Sequence, residues 1–206
     1  MAIEFVYFDL GNVLLNFDHQ LACRQMADVA DATPEQIWQV VFESGLEYEY
    51  EAGKISSRDF YEAICEALGK RPDYDRLALA GSDIFTVNVS TKAVFAQLVA
   101  RCFPVGLLSN TNEMHWDFVT SGRFCMIPED FKVTALSFEI GAIKPDPAIY
   151  AAAAELAGVA PEAIFYTDDI AGHVEAARKA GFDAVQFTTA SALAEALHER
   201  GVQTNY

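Results

Sequence analysis

Short apolar runs that break into polar clusters recur along this chain, and they constrain its fold more than any other feature. Ile3-Glu4-Phe5-Val6-Tyr7-Phe8 ends at Asp9-Leu10-Gly11-Asn12-Val13. Val105-Gly106-Leu107-Leu108 runs into Ser109-Asn110-Thr111-Asn112, Ser137 to Ile143 precedes Lys144-Pro145-Asp146-Pro147, and Ala163 to Thr167 precedes Asp168-Asp169. The first run is short, aromatic and β-branched. It reads as a buried strand that delivers Asp9 to the carboxyl edge of a sheet, where open α/β folds bind ligands.

The strand candidates are residues 3–8, 105–108, 133–137, 163–167 and 184–187. Between them, Thr91 to Cys102, Pro147 to Leu156, Ala171 to Ala180 and Ser191 to Arg200 have helical apolar spacing, with Pro147 near one start and Gly158, Gly181 and Gly201 after the ends. That alternation predicts an α/β fold with a doubly wound parallel sheet. From Asn16 to about Asn88 no strand is expected, only amphipathic segments at 19–31, 34–44, 57–68 and 73–81. Residues 1–15 and 88–206 then form the α/β core, and 16–87 a helical insertion placed directly after the first strand.

Composition bounds the function classes. A chain of 206 residues that is 52% hydrophobic can fill one sizeable core and a small inserted domain. No apolar run reaches the roughly 18 residues a membrane span needs, and the N-terminus lacks a basic, cleavable leader, so a soluble cytoplasmic protein is expected. Cys23, Cys65, Cys102 and Cys125 have no metal or redox spacing and read as reduced, mostly buried thiols. The net charge of -16 excludes nucleic acid and anionic membranes as expected partners, so an anionic substrate must be attracted locally. A small-molecule substrate and a monomer or homodimer are expected.

Taken singly, the polar groups have ordinary readings. Asp9 can cap a turn, Ser109 an ensuing helix, Asp168-Asp169 can be a cap pair, and Lys144 a solvated loop lysine. Their order is what points to a site. A carboxylate, a hydroxyl, a lysine and an acidic pair in this succession resemble the haloacid dehalogenase-like (HAD) hydrolase superfamily over nearly the whole chain. The most specific pieces are Phe8-Asp9-Leu10-Gly11-Asn12-Val13, Leu108-Ser109-Asn110-Thr111-Asn112 and Ser137-x-Glu139-x-Gly141-x-x-Lys144-Pro145-Asp146-Pro147-x-Ile149-Tyr150. The resemblance implies a Rossmann-like core, makes the insertion a helical cap of the subfamily I type, and implies phosphoryl transfer through an aspartyl-phosphate on Asp9. A dianionic phosphate repels a carboxylate nucleophile, so cations and fixed donors must neutralise its oxygens. Lys144 supplies one cation and pairs with Asp9. Ser109 and the backbone N–H groups of Asn110 and Thr111 are the expected phosphate donors. Asp9, Asp168 and Asp169 offer hard oxygen ligands suited to Mg²⁺, completed by the Gly11 carbonyl. The family pattern makes Asp169 the direct ligand and Asp168 direct or one shell out.

One departure matters. Most HAD phosphatases carry Asp-x-Asp, whose second Asp protonates the leaving group and then activates water; here that position is Gly11. The opening Asp-Leu-Gly-Asn, the Ser-Asn-Thr-Asn-x-x-His segment and Tyr50-Glu-x-Gly-x-Ile-Ser56 look like the bacterial α-D-glucose-1-phosphatase-like branch. A missing acid favours acidic leaving groups, so acyl, aryl and sugar-1-phosphates are expected to react ahead of sugar-6-phosphates, and Gly11→Asp to narrow that gap if the backbone accepts a side chain. His115 can touch substrate, substitute as the acid, or cap and pack; Asp18 can donate the proton or cap the helix after it. His173 reads equally as a surface residue or a water-mediated metal contact, and Tyr48 to Glu51 as a substrate-facing or an exposed segment. A metal-independent 2-haloacid dehalogenase and a regulatory HAD-like protein are the alternatives, the acidic pair opposing the first and the intact Asp9, Ser109 and Lys144 the second.

Overall fold

The computed structural model describes residues 2–124, 127 and 129–205. In chain order it contains β1 (Phe5–Phe8), β2 (Leu15–Phe17), α1 (His19–Ala30), α2 (Pro34–Trp38), a π-helical turn (Gln39–Glu43), α3 (Leu46–Glu51), α4 (Ser57–Leu68), α5 (Tyr74–Ser82) and β3 (Phe85–Val87). There follow α6 (Val89–Ala100), β4 (Val105–Ser109), α7 (Glu113–Val119), β5 (Val133–Leu136), α8 (Ser137–Ile140), α9 (Pro147–Ala157), β6 (Ile164–Asp168), α10 (Ala171–Lys179), β7 (Asp183–Gln186) and α11 (Ala190–Glu199).

The five long-range strands form one sheet in the order β5-β4-β1-β6-β7, every pair parallel. β1 lies at its centre, between β4 and β6, and is buried on both faces. That explains a continuous apolar run instead of an alternating one. Val6 and Phe8 point into the layer that holds Val94, Phe95 and Leu98 of α6 and Leu193 and Leu197 of α11. Phe5 and Tyr7 point the other way, against Ile149 and Ala153 of α9 and Val174 of α10. Each side chain of this size removed from water contributes about 1.5–3 kcal/mol, so β1 alone anchors both layers. Because β4 and β6 flank it, the ends of all three strands open onto one edge.

The helices between β2 and β3 close over an apolar cluster of their own, in which Met26, Ile37, Tyr50, Phe60, Ile64 and Leu77 meet. Three features here depart from expectation. Residues 15–17 and 85–87, expected to hold no strand, pair antiparallel as β2 and β3 at the two ends of the insertion. Three-residue strands are too short for an alternating pattern to register. Residues 34–44 are not one helix: the last turn widens, with Ser44 N–H donating to the Gln39 carbonyl at 3.1 Å. α3 had no helical signature because Glu47-Tyr48-Glu49-Tyr50-Glu51 alternates with period two, yet it folds as a helix that buries Tyr50.

Cys23 and Cys65 are free and buried, as expected; Cys102 is free but exposed, and Cys125 lies outside the described residues. No helix among the described residues is long and apolar enough to cross a membrane.

Candidate active site

Asp9 follows β1 directly, and its N–H donates to the Thr167 carbonyl at 3.0 Å, which ties it to the neighbouring strand. Only 7% of it is exposed. Ser109 closes β4 and Asp168 closes β6, so three strand ends deliver three of the expected groups. Lys144 arrives differently. The strand expected at 133–137 forms as β5 and ends at Leu136, the run from Ser137 opens as α8, and Lys144 is carried eight residues past the end of β5 on a loop. The side chain of Asn110 fixes that loop: its Oδ1 accepts from Lys144 N–H at 2.7 Å and its Nδ2 donates to the Lys144 carbonyl at 3.1 Å.

The Lys144 ammonium is almost completely buried. It donates to Asp9 Oδ1 at 2.8 Å, Asp168 Oδ2 at 2.7 Å, Tyr166 Oη at 3.0 Å and the Leu108 carbonyl at 3.2 Å. Burial pushes its pKa down, but the two carboxylates outweigh that and hold it above the usual lysine value. Burial likewise pushes Asp9 up, against the pull of Lys144 and with the repulsion of Asp168. In Asp168 burial loses: Lys144, His173 and Tyr166 hold its carboxyl well below the ordinary range. Each oxygen of Asp168 is engaged. Oδ2 accepts from Lys144 and Tyr166, Oδ1 accepts from Ile170 N–H at 2.8 Å, and His173 Nδ1 lies 3.1 Å and 3.2 Å from the two. His173 is thus a partner of Asp168, one shell behind the edge.

Asp9, Asp168 and Asp169 each present an oxygen within 4.8 Å of the others. Asn12, whose φ of 54° is left-handed, donates from Nδ2 to Asp169 Oδ2 at 3.1 Å and steadies the third carboxylate. Sequence reasoning passed over Asn12 and Tyr166. The first sits inside the quoted motif; the second is an apolar-looking strand residue whose hydroxyl shows its role only when β6 stands beside β1.

The phosphate-loop residues separate. Ser109 Oγ donates to the Asn110 carbonyl at 3.2 Å. Thr111 N–H, expected to hold a phosphate oxygen, donates to Ser137 Oγ at 3.0 Å, and that hydroxyl returns a bond to the Thr111 carbonyl at 2.9 Å. This exchange across the top of β5 uses Thr111 to brace the loop. Ser109, Asn110 and Thr111 line a pocket with Leu10, Gly11, Phe17, His19, Glu51, Ile84, Phe85 and His115.

Neither substitute acid named from the sequence is placed to serve. Asp18 is the N-cap of α1, accepting from Gln20 and Leu21 N–H at 2.8 Å and 3.1 Å. His115 lines the pocket, but burial lowers its pKa to about 4. Its Nε2 faces the Gly81 carbonyl at 3.3 Å and its Nδ1 faces Asn112 Nδ2 at 3.2 Å, contacts that suit a neutral ring protonated on Nε2.

Gly11 has a physical reason of its own. A Cβ there would stand 2.7 Å from Cε1 of Phe17, so the obstacle to Gly11→Asp is that ring and not the backbone. Phe17 is held by His19 and Phe85, with ring centroids at 4.8 Å and 6.3 Å. Gly11→Asp alone is therefore expected to destabilise the protein by about 1–3 kcal/mol through overpacking. Adding Phe17→Ala should return much of that in urea titrations, and equal midpoints for wild type and Gly11→Asp would refute the clash.

A doubly wound sheet with an aspartate, a serine, a buried lysine and an acidic pair on its carboxyl edge defines a class. The chain belongs to the haloacid dehalogenase-like hydrolase family, whose model matches residues 3–181. Among particular relatives, it is 22% identical over 188 residues to the D-ribitol-5-phosphate phosphatase of Bacteroides thetaiotaomicron, covering 89% of this chain and 91% of that protein. An HAD-family enzyme of the same organism, solved with magnesium and inorganic phosphate, superposes with a TM-score of 0.80 at 27% identity, covering 91% of this chain and 96% of that one. An HAD-like hydrolase of Porphyromonas gingivalis has the same fold, with a TM-score of 0.82 at 23% identity over 99% and 100% of the two chains.

Proposed function

We propose that the protein is a Mg²⁺-dependent phosphatase of small phosphorylated metabolites, acting on a sugar or sugar-alcohol phosphate through an aspartyl-phosphate on Asp9. The observation that carries this reading is the acidic trio, Asp9, Asp168 and Asp169, gathered within 4.8 Å beside a buried lysine. One ammonium does not neutralise three carboxylates and an incoming phosphate, and the donor set is all hard oxygen, which fits Mg²⁺. Asp9, Asp169 and the Gly11 carbonyl would hold the ion. Asp168, whose oxygens are already taken by four donors, orients Lys144 and stands behind them. When bound, Mg²⁺ supplies positive charge to the phosphoryl oxygens.

The chain's own groups do the rest. Lys144 favours the ionised form of Asp9 and aims it, and Ser109 with the Asn110 N–H receives phosphate oxygens. Asp9 attacks phosphorus, the ester P–O bond breaks, and water later cleaves the acyl phosphate to free Asp9 and inorganic phosphate. The magnesium and phosphate bound by the relative and the ribitol-5-phosphate named for the other support the same chemistry and a small substrate.

The test is a screen of phosphosugars, sugar-alcohol phosphates, acyl phosphates and nucleotides with and without Mg²⁺. Phosphate release that EDTA suppresses and Mg²⁺ restores is the expected result. Halide release from a 2-haloacid without metal would overturn the reading in favour of a dehalogenase.

A further inference from the structure

The C-terminal end of α3 is fastened to the catalytic edge at two points. Tyr50 Oη accepts from Met114 N–H at 3.0 Å and donates to Ser57 Oγ at 2.6 Å, and Ser57 donates in turn to Glu113. This relay fastens α3 and α4 to the first turn of α7, directly after the Ser109 loop. Just past the same C-terminal end of α3, a Cβ on Gly53 would fall 2.2 Å from the Phe138 carbonyl oxygen, so the backbone there lies against α8, which leads to Lys144. Glu51 stands between these two fixed points. It is partly buried and lines the same pocket as Gly11, Ser109 and Asn110, and among the eleven residues lining that pocket it carries the one carboxylate.

We propose that Glu51 is the catalytic acid and base of this enzyme, delivered by the cap in place of a side chain at position 11. The proposal rests on the phosphatase reading above. As Asp9 attacks and the ester P–O bond breaks, the Glu51 proton passes to the leaving oxygen and the alcohol departs neutral. The Glu51 carboxylate then takes a proton from the water that attacks phosphorus, the P–O bond to Asp9 breaks, and inorganic phosphate leaves with Glu51 protonated again. Phe17 fills the space beside Gly11, so the acid must come from across the pocket.

The surroundings suit that task. Burial raises the Glu51 pKa to about 7, opposed by Lys144 and aided by Asp9, so both protonation states are accessible near neutral pH. The other titratable groups around it are Glu47 on the same helix, itself raised to about 8 by burial and by Glu51, and His19 and His115 on the pocket wall. His19, like His115, is pushed down by burial, which disfavours the charged ring in both.

The test uses the full chain with Mg²⁺ and two kinds of ester: para-nitrophenyl phosphate, whose leaving group needs no proton, and primary alkyl esters, glucose-6-phosphate and ribitol-5-phosphate. In Glu51→Gln, kcat/KM on the better alkyl ester is expected to fall about 10²- to 10⁴-fold while the first-turnover burst of nitrophenolate changes by less than about threefold. Glu51→Asp, which keeps the acid on a shorter arm, should fall between wild type and Glu51→Gln on the alkyl ester, and thermal melts report whether both variants fold. An equal fall on both kinds of ester, no fall on either, or a wild type confined to para-nitrophenyl phosphate would overturn the role of Glu51 while leaving the phosphatase standing. A wild type inactive on every phosphate would remove both.

Discussion

Asp9→Asn is expected to reduce turnover by about 10⁴-fold or more, because it removes the attacking oxygen and nothing else at the edge can form the acyl phosphate. The change is nearly isosteric, and Lys144 keeps its bonds to Asp168, Tyr166 and the Leu108 carbonyl, so circular dichroism and urea midpoints should stay close to wild type. Beryllium fluoride, which mimics an acyl phosphate, should protect the wild type and leave Asp9→Asn unaffected. Residual activity near that of the wild type would remove the nucleophile assignment and the mechanism with it.

The largest effect on stability is expected at Lys144. Its side chain is 1% exposed and lies between carboxylates that are 9% and 0% exposed. Lys144→Ala leaves Asp9 and Asp168 facing each other in a site closed to water, and removing one partner of a buried ion pair costs about 3–5 kcal/mol. Urea unfolding should show that loss together with loss of activity. Lys144→Arg is not a conservative rescue, since a planar guanidinium cannot occupy the point where four acceptors converge. An unchanged urea midpoint in Lys144→Ala would show that the trio is solvated and that the lysine merely pairs with it.

These two residues show how far the sequence reached into the site. Asp9 was legible because a carboxylate at a strand end leaves a local mark, an apolar run broken by an acid and a glycine. Lys144 was legible as a motif, but its delivery was not: Ser137 to Ile143 looks apolar enough to be a strand, and only the packed structure turns it into a short helix and a loop pinned by Asn110. Thr111 shows the same limit. Its N–H is available in the sequence and is spent on Ser137, 26 residues away, only once β4 and β5 pair.

The sequence by itself determined the alternation of strands and helices, the family and the order of the chemical groups, since each is written in residues a few positions apart. The tertiary structure alone decided which of those groups meet. Lys144 reaches Asp9 across 135 positions, and Asp168 is spent on holding that lysine. Phe17, on a strand too short to announce itself, crowds any side chain at position 11, and Glu51, in a segment whose period-two pattern hid its helix, lines the pocket from α3. Periodicity reports which face of an element is apolar; contacts between distant elements depend on how those faces pack, and no local pattern records them.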